Sequence, residues 1–438
     1  MKKLFSEHIK VLQNSLSAIL EEKKLDGLII YSGSSNFYFA DDQEVPFRPN
    51  PHFNHWCPER SPQRLLVLRP EQRPHLIRYA PQDFWYEQQS VDGAFWFDEF
   101  QITEVQDKKD LWKHVGQVEH HCFSGTASGE VREKGLSINP KEILWILDWN
   151  RGIKTQYEIQ NIVEANKIAA QGHKAAREAF VGGGSELNIH HQYLSEVACM
   201  EHELPYPTIV GIDRKSAVLH YQFKRQNTDG GVMLIDAGVH CNGYASDITR
   251  TYAKKQVHKV FQHIIEGMEQ LQQDLCSLVK SGVSYLTLHG KCHEGIAALL
   301  LDLELLSGLS VDQAIDKGLT RLFFPHGLGH MLGLQVHDVS GLQKNAQGDP
   351  CDRDTRYKTL RAARDLRENE VITIEPGFYF IPVLLDPERA GSHSKNFNWP
   401  LIDALIPWGG VRIEDNIQVK EGHSRNITRE FLGNDFVL

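Results

Sequence analysis

The sequence lacks what would place it in a disulfide scaffold, in a membrane or on nucleic acid. Its seven cysteines, Cys57, Cys122, Cys199, Cys241, Cys276, Cys292 and Cys351, are odd in number, scattered and without a CxxC pair. That pattern points to reduced thiols in a cytoplasmic protein. No uninterrupted apolar run approaches membrane-spanning length. The start, "MKKLFSEHIKVLQ", has lysines but no apolar segment of signal-peptide length, and reads as an amphipathic helix. "NIT" at Asn426 matches a glycosylation acceptor, which carries no weight without a secretion signal. Basic residues are in deficit, 47 Lys and Arg against 57 Asp and Glu. The net charge of −10 argues against nucleic-acid or anionic-membrane partners. What is left is ordinary globular composition, 41% hydrophobic and 24% charged, and 438 residues are too many for one core.

Two domains are therefore expected, 1–153 and 154–438. The first mixes a helical stretch, "SEHIKVLQNSLSAILEEKKL", with strands such as "GLIIY", "RLLVL" and "HLIRY". A loop rich in proline and aromatics, "DDQEVPFRPNPHFNHWCPERSP", interrupts it. Phe, Trp and His gathered in one loop point to an interface or a lid over a site. After Trp149 the texture changes: "KTQYEIQNIVEANKIAAQGHKAAREAF" is one long helical pattern, stopped by "VGGGS" with a fresh start at Ser185.

"GVMLIDAGVHCNGYASDITRTY" carries two carboxylates, Asp236 and Asp247, into apolar strand-like runs. It reads as a hairpin. A two-residue Asn242-Gly243 loop sets Asp247 opposite Gly238, and a four-residue turn sets it opposite Asp236. Either register puts both acids on one face. Buried like charges repel, so each needs a partner: an arginine such as Arg250, or a shared cation. Further on, "TIEPG" delivers Glu375 at a strand end, and "GGVRIEDNIQV" puts Arg412 and Glu414 on one face. This second pair of strands echoes the first, as two halves each sending two carboxylates toward one centre. Between them, "FFPHGLGHMLGLQVHD" places His326, His330 and His337 around a glycine turn. Four carboxylates with an imidazole suit Mn²⁺, Co²⁺ or Mg²⁺ better than structural zinc. They carry more charge than one ion balances, which favours the two-metal arrangement of hydrolases.

The order Asp236, Asp247, "PHGLGH", "TIEPG", "GGVRIED" resembles the pita-bread metallopeptidases, a family of methionine aminopeptidases, aminopeptidase P and Xaa-Pro dipeptidases (prolidases). The resemblance runs from about Lys154 to the end. "GLIIYSG", "FADDQEVPFRPNPHFNHWCP" and "PQDFWYE" narrow it to bacterial prolidases, including those called organophosphorus acid anhydrolases. It implies an α/β (α+β) architecture, a pita-bread catalytic domain behind a smaller α/β domain. It also implies two divalent ions, foremost Mn²⁺, with a hydroxide between them as nucleophile. Asp236 would bind one ion, His330 and Glu375 the second, with Asp247 and Glu414 bridging. Glu375 would also move the proton to the leaving proline nitrogen, and His220 would stabilise the oxyanion. His337 matches a second pocket histidine, and Arg412 an arginine that holds a ligand aspartate or the substrate. Tyr206, Leu219, His326, Val336 and Arg361 match substrate-pocket positions. Asp42 matches a residue that reaches the pocket from a neighbouring subunit, which implies a homodimer or homotetramer. Where the family often reads "HGLGHH", this chain has Met331; changed packing is expected there, not a lost ion. The implied activity is hydrolysis of Xaa-Pro dipeptides, with side activity on organophosphorus P–F or P–O bonds. An aminopeptidase P-like enzyme acting on longer peptides is the alternative. A non-catalytic binding module or a metal-free creatinase-like enzyme would have lost these acids.

Overall fold

The apolar residues of the opening stretch recur at helical spacing and fold as α1 (Lys2–Lys23), which turns Phe5, Ile9, Leu12, Leu16 and Leu20 inward. The computed structural model describes residues 1–433 except 86, 89, 228 and 353, so Tyr86 of "PQDFWYE" lies outside the described residues. The chain divides into two compact units. One is Met1–Arg151 with Thr155–Glu158 and Asn345–Asp349; the other is Gly152–Lys154, Ile159–Lys344 and Pro350–Leu438.

In the first unit, β1 (Gly27–Tyr31), α2 (Pro51–Trp56), β2 (Arg64–Leu68), β3 (His75–Tyr79), β4 (Gln101–Val105), β5 (His121–Ser124), α3 (Gly129–Glu133), β6 (Ser137–Ile138) and α4 (Lys141–Gly152) follow one another. The strands form one mixed sheet in the order β4-β3-β2-β1-β5-β6. Its β-branched and leucine side chains close a core around Ile29, Leu65, Val67, Ile77 and Phe123.

The aromatic loop corrects one expectation. Phe53 and Trp56, among the loop aromatics expected at an interface or a lid, are buried on α2 within their own unit. Phe47 is half-buried against Gly33. Just before the aromatic loop, Phe37, Tyr38 and Phe39 are exposed, the last fully, in a short loop closed by a bridge from Phe37 to Glu44.

The long helix α5 (Gln156–Val181) has its first turn in the first unit and the rest in the second, and α6 (Glu186–Val197) restarts where Ser185 accepts the Asn188 N–H at 3.2 Å. Then come β7 (Ile209–Ile212), β8 (Val232–Ala237), β9 (His240–Cys241), β10 (Tyr244–Ala245), β11 (Ile248–Ala253), α7 (Lys259–Leu278) and α8 (Tyr285–Asp302). Last are β12 (Val371–Ile374), β13 (Gly377–Tyr379), β14 (Gly410–Arg412), β15 (Asp415–Val419) and β16 (Ser424–Asn426). β8 lies antiparallel between β7 and β11, and β15 antiparallel between β12 and β16. A bridge between Thr249 and Glu414 joins the halves. α7 packs Ile264, Ile265 and Met268 into the core shared with Met233, Ile235 and Ile374.

Of the two hairpin registers, the two-residue loop is the one found. Tyr244 faces Cys241, Thr249 faces Asp236, and Asn242 and Gly243 both take positive φ, 47° and 89°. Those angles match the turn that fits the strand twist. Asp236 and Asp247 therefore share a face. Gly238 is required between them, because a Cβ there would meet the Ser246 carbonyl oxygen at 1.9 Å.

Candidate active site

Each half contributes its acids from the same places. Asp236 lies near the end of β8 and Asp247 one residue before β11. Glu375 follows β12, and Glu414 precedes β15. Asp247, His330 and Glu414 are buried, and one ligand atom from each lies within 4.8 Å of the others. The His330 Nε2 stands 3.3 Å from Asp247 Oδ2 and 3.7 Å from Glu375 Oε1. The ring is aimed from behind, since its Nδ1 donates to the Met331 carbonyl at 2.9 Å and leaves the Nε2 lone pair toward the carboxylates. Gly329 permits this close approach with φ 155°; a Cβ there would lie 2.3 Å from the Tyr285 hydroxyl. Met331 is buried and bridges Ile372, so the departure from "HGLGHH" is absorbed in the core.

The acids are only partly satisfied by the protein. Asp236 Oδ2 accepts from Arg412 Nη2 at 2.6 Å, and Asp247 Oδ1 from the Tyr206 hydroxyl at 2.5 Å. Glu414 Oε2 accepts from the Thr249 hydroxyl at 2.7 Å. Asp236 Oδ1 and Glu414 Oε1 are buried with no hydrogen-bond partner. Burial, and then the neighbouring acids, push the carboxyls of Asp247, Glu375 and Glu414 well above their ordinary range. Burial also lowers His330 to about 4 and His326 and His337 to about 3. Neutral imidazoles beside crowded carboxyls with orphan oxygens are a donor set that fits divalent cations.

Arg250, offered by the sequence as a partner for this pair, is engaged elsewhere: it binds Asp415 on the opposite face at 2.7 Å. Arg412 takes that place. Its Nε donates to Thr249 Oγ1 at 3.2 Å and its Nη1 to the Tyr379 hydroxyl at 3.0 Å, besides the bond to Asp236. The guanidinium holds Asp236 and, as one of the cavity-lining residues, also faces the cavity.

The acids open on a cavity of about 250 Å³ lined also by Leu219, His220, His326, His337, Thr359 and Arg361. His220, His337 and Arg361 are exposed at its mouth. The His337 ring packs edge-on against His330 at 4.4 Å. His326 is fixed by its own chain, with Nδ1 on the Gly327 carbonyl at 2.8 Å and Nε2 on the Tyr379 hydroxyl at 2.8 Å. Tyr206 meets the site by donating its hydroxyl to Asp247. Val336 is half-buried and is not among the lining residues; neither is Asp42, an exposed residue of the first unit.

Four residues that hold the site were not singled out from sequence: Thr249, Thr373, Tyr379 and Asn416. Asn416 accepts the Asp247 N–H at 3.0 Å and donates to the Asp247 carbonyl. Thr373 pairs with the backbone of His330 in both directions. Their signal lay in the register, since Thr373 faces Asn416 and Thr249 faces Asp236.

Residues 160–421 match metallopeptidase family M24, and residues 3–149 match the N-terminal domain of Xaa-Pro dipeptidases. The chain belongs to metallopeptidase family M24 and is a metal-dependent hydrolase. It is 40% identical over 434 residues to a Xaa-Pro dipeptidase of Glaesserella parasuis, 98% of each chain being covered. To that of Sodalis glossinidius it is 39% identical over 435 residues, again with 98% of each chain covered. Escherichia coli aminopeptidase P with the inhibitor Pro-Leu shares the fold, at TM-score 0.77 and 22% identity, over 99% of this chain and 96% of that one. The zinc-substituted form of that enzyme in complex with product gives 0.76 at 22%, with the same coverage. The expected pita-bread catalytic domain with a separate amino-terminal domain is thus the fold found.

Proposed function

We propose that the protein is a Xaa-Pro dipeptidase working with two divalent cations, Mn²⁺ foremost. The observation that carries this reading is the pair of buried orphan oxygens, Asp236 Oδ1 and Glu414 Oε1, together with the convergence of Asp247, His330 and Glu414. Asp236, Asp247, His330, Glu375 and Glu414 would hold the cations, Asp247 and Glu414 being shared. Such ions supply an activated water and a polarised carbonyl.

The chain's own residues do the rest. Glu375, half-open to the cavity, would carry the proton from water to the proline nitrogen. His220 at the mouth would donate to the developing oxyanion. Arg361 and His337, exposed at the mouth, would receive the carboxylate of the dipeptide. A cavity of about 250 Å³ is at the small end of ligand sites, which favours a substrate of two residues. A phosphotriester whose P–F or P–O bond is cleaved by the same nucleophile would be an accidental substrate.

A dipeptidase also needs a wall that stops a third residue. We assign that wall to the exposed Phe37–Phe39 segment and Asp42 of a second subunit, making the enzyme a homodimer or homotetramer. The scattered free thiols fit a reducing cytoplasm.

The experiment is hydrolysis of Ala-Pro and Ala-Pro-Ala by metal-depleted protein, with Mn²⁺, Co²⁺ or Zn²⁺ restored. Cleavage of Ala-Pro alone is expected, best with Mn²⁺, and should fall on dilution to monomers. Equal cleavage of both peptides would make the protein an aminopeptidase P-like enzyme. Full activity without metal would sink the proposal.

A further inference from the structure

In the first unit, three ligating side chains converge in the interior. His8 comes from α1, His55 from α2 and Glu158 from the first turn of α5. Their relative exposures are 1%, 9% and 0%. One ligand atom from each lies within 4.8 Å of the others, the same closeness that Asp247, His330 and Glu414 reach. The His55 Nε2 is 3.4 Å from Glu158 Oε1, and the His8 Nδ1 is 3.9 Å from Glu158 Oε2. Ligands held about 2.0–2.1 Å from a tetrahedral zinc stand roughly 3.3 Å apart. The group is therefore close to ligating spacing.

The orientation of the rings points the same way. The His8 Nε2 donates to the His55 carbonyl at 2.7 Å, which leaves Nδ1 as the lone-pair nitrogen on the side of Glu158. The His55 Nε2 is buried and faces Glu158 Oε1 at 3.4 Å without a well-aligned hydrogen bond, an arrangement that a cation between them would satisfy. Burial keeps both imidazoles below their ordinary range, in the neutral form that ligates. One bond competes. The Thr155 hydroxyl donates to His8 Nδ1 at 2.9 Å, and Glu158 also accepts the Thr155 N–H at 2.8 Å as a helix cap. An ion would displace that hydroxyl and leave the cap in place.

We infer that His8, His55 and Glu158 form a second, non-catalytic site for one zinc-class divalent cation, which ties α1, α2 and the start of α5 together. Two imidazoles and a carboxylate are a zinc ligand set, distinct from the oxygen-rich set of the active site. Metal counting tests it in a chain whose active site is disabled by Asp247→Asn with His330→Ala. After Zn²⁺ loading and gel filtration, that chain should retain one more equivalent of zinc than the same chain carrying His55→Phe. Equal counts would overturn the assignment. If His55→Phe does not fold, the disabled chain is loaded with Co²⁺. Intense visible bands of four-coordinate cobalt, together with a thermal midpoint that drops when a chelator removes the ion, are then expected. A colourless protein, or an unmoved midpoint, would equally overturn it.

Discussion

Glu414 and Asp415 follow one another in the chain, both buried, and face opposite sides of the strand. Asp415 is met by Arg250 at 2.7 Å and Arg429 at 2.6 Å, with Gln272 and Asn426 completing its shell. Burial pushes its carboxyl up, but the two guanidinium groups outweigh that and bring it down to about 2. Glu414 has one hydroxyl, one orphan oxygen and two acids for neighbours, and is driven well above the ordinary range. Where the fold itself supplies the cations, a buried carboxylate is a structural member. Where it supplies too few for the acids gathered there, the carboxylate is a place for a cation from outside.

The two residues should accordingly fail in different ways when neutralised. Glu414→Gln is expected to drop Ala-Pro turnover to background while the metal-free protein melts no lower than the parent, since a crowded charge has been removed. Asp415→Asn should instead cost about 3–5 kcal/mol of stability, the scale of breaking a buried ion pair. Turnover and thermal melts on both variants check this; an unfolded Glu414→Gln and an unaltered Asp415→Asn would reverse the comparison. Next in size are the histidines. His330→Ala should lose bound metal along with rate. His220→Ala should keep its metal and slow by roughly 10²–10³-fold, the effect of losing one oxyanion donor. Metal analysis of the two variants separates these roles, and metal loss in His220→Ala would contradict them.

The raised carboxyls of Asp247, Glu375 and Glu414 also fix a sign. Below about pH 4 both folded and unfolded chains hold these protons. As pH rises, the unfolded chain releases them first, so the metal-free protein loses stability upward from there. Thermal midpoints against pH should show that fall and its disappearance once Mn²⁺ is bound; a flat metal-free profile would speak against the crowding. The smallest effect belongs to Asn416→Ala, which frees the backbone of Asp247. It should weaken metal binding about 10–100-fold, as loss of a supporting contact does, in a competition assay against a chelator.

Much of this site was legible because its chemistry is carried by residues that make no sense otherwise. Asp236, Asp247, Glu375 and Glu414 interrupt apolar runs, and alternation along a strand put each on a face before any register was known. What the sequence left open was settled by packing. The choice of hairpin loop rested on positive φ at Asn242 and Gly243 together, and the exchange of arginines rested on which face Asp415 occupies. Thr249, Thr373 and Asn416 are ordinary strand residues whose roles exist only across register partners. The aromatic loop misled because apolar side chains give no direction: Phe53 and Trp56 turned into their own unit, while Phe39, just before the loop, stayed outside.

The most direct measurement is a titration of Mn²⁺ into metal-free protein, following bound metal and Ala-Pro hydrolysis together. Activity is expected to appear only with metal and to reach its plateau as the second active-site equivalent binds, with no such rise in Glu414→Gln. Full turnover in the metal-free protein, or a plateau after a single equivalent, would contradict the account.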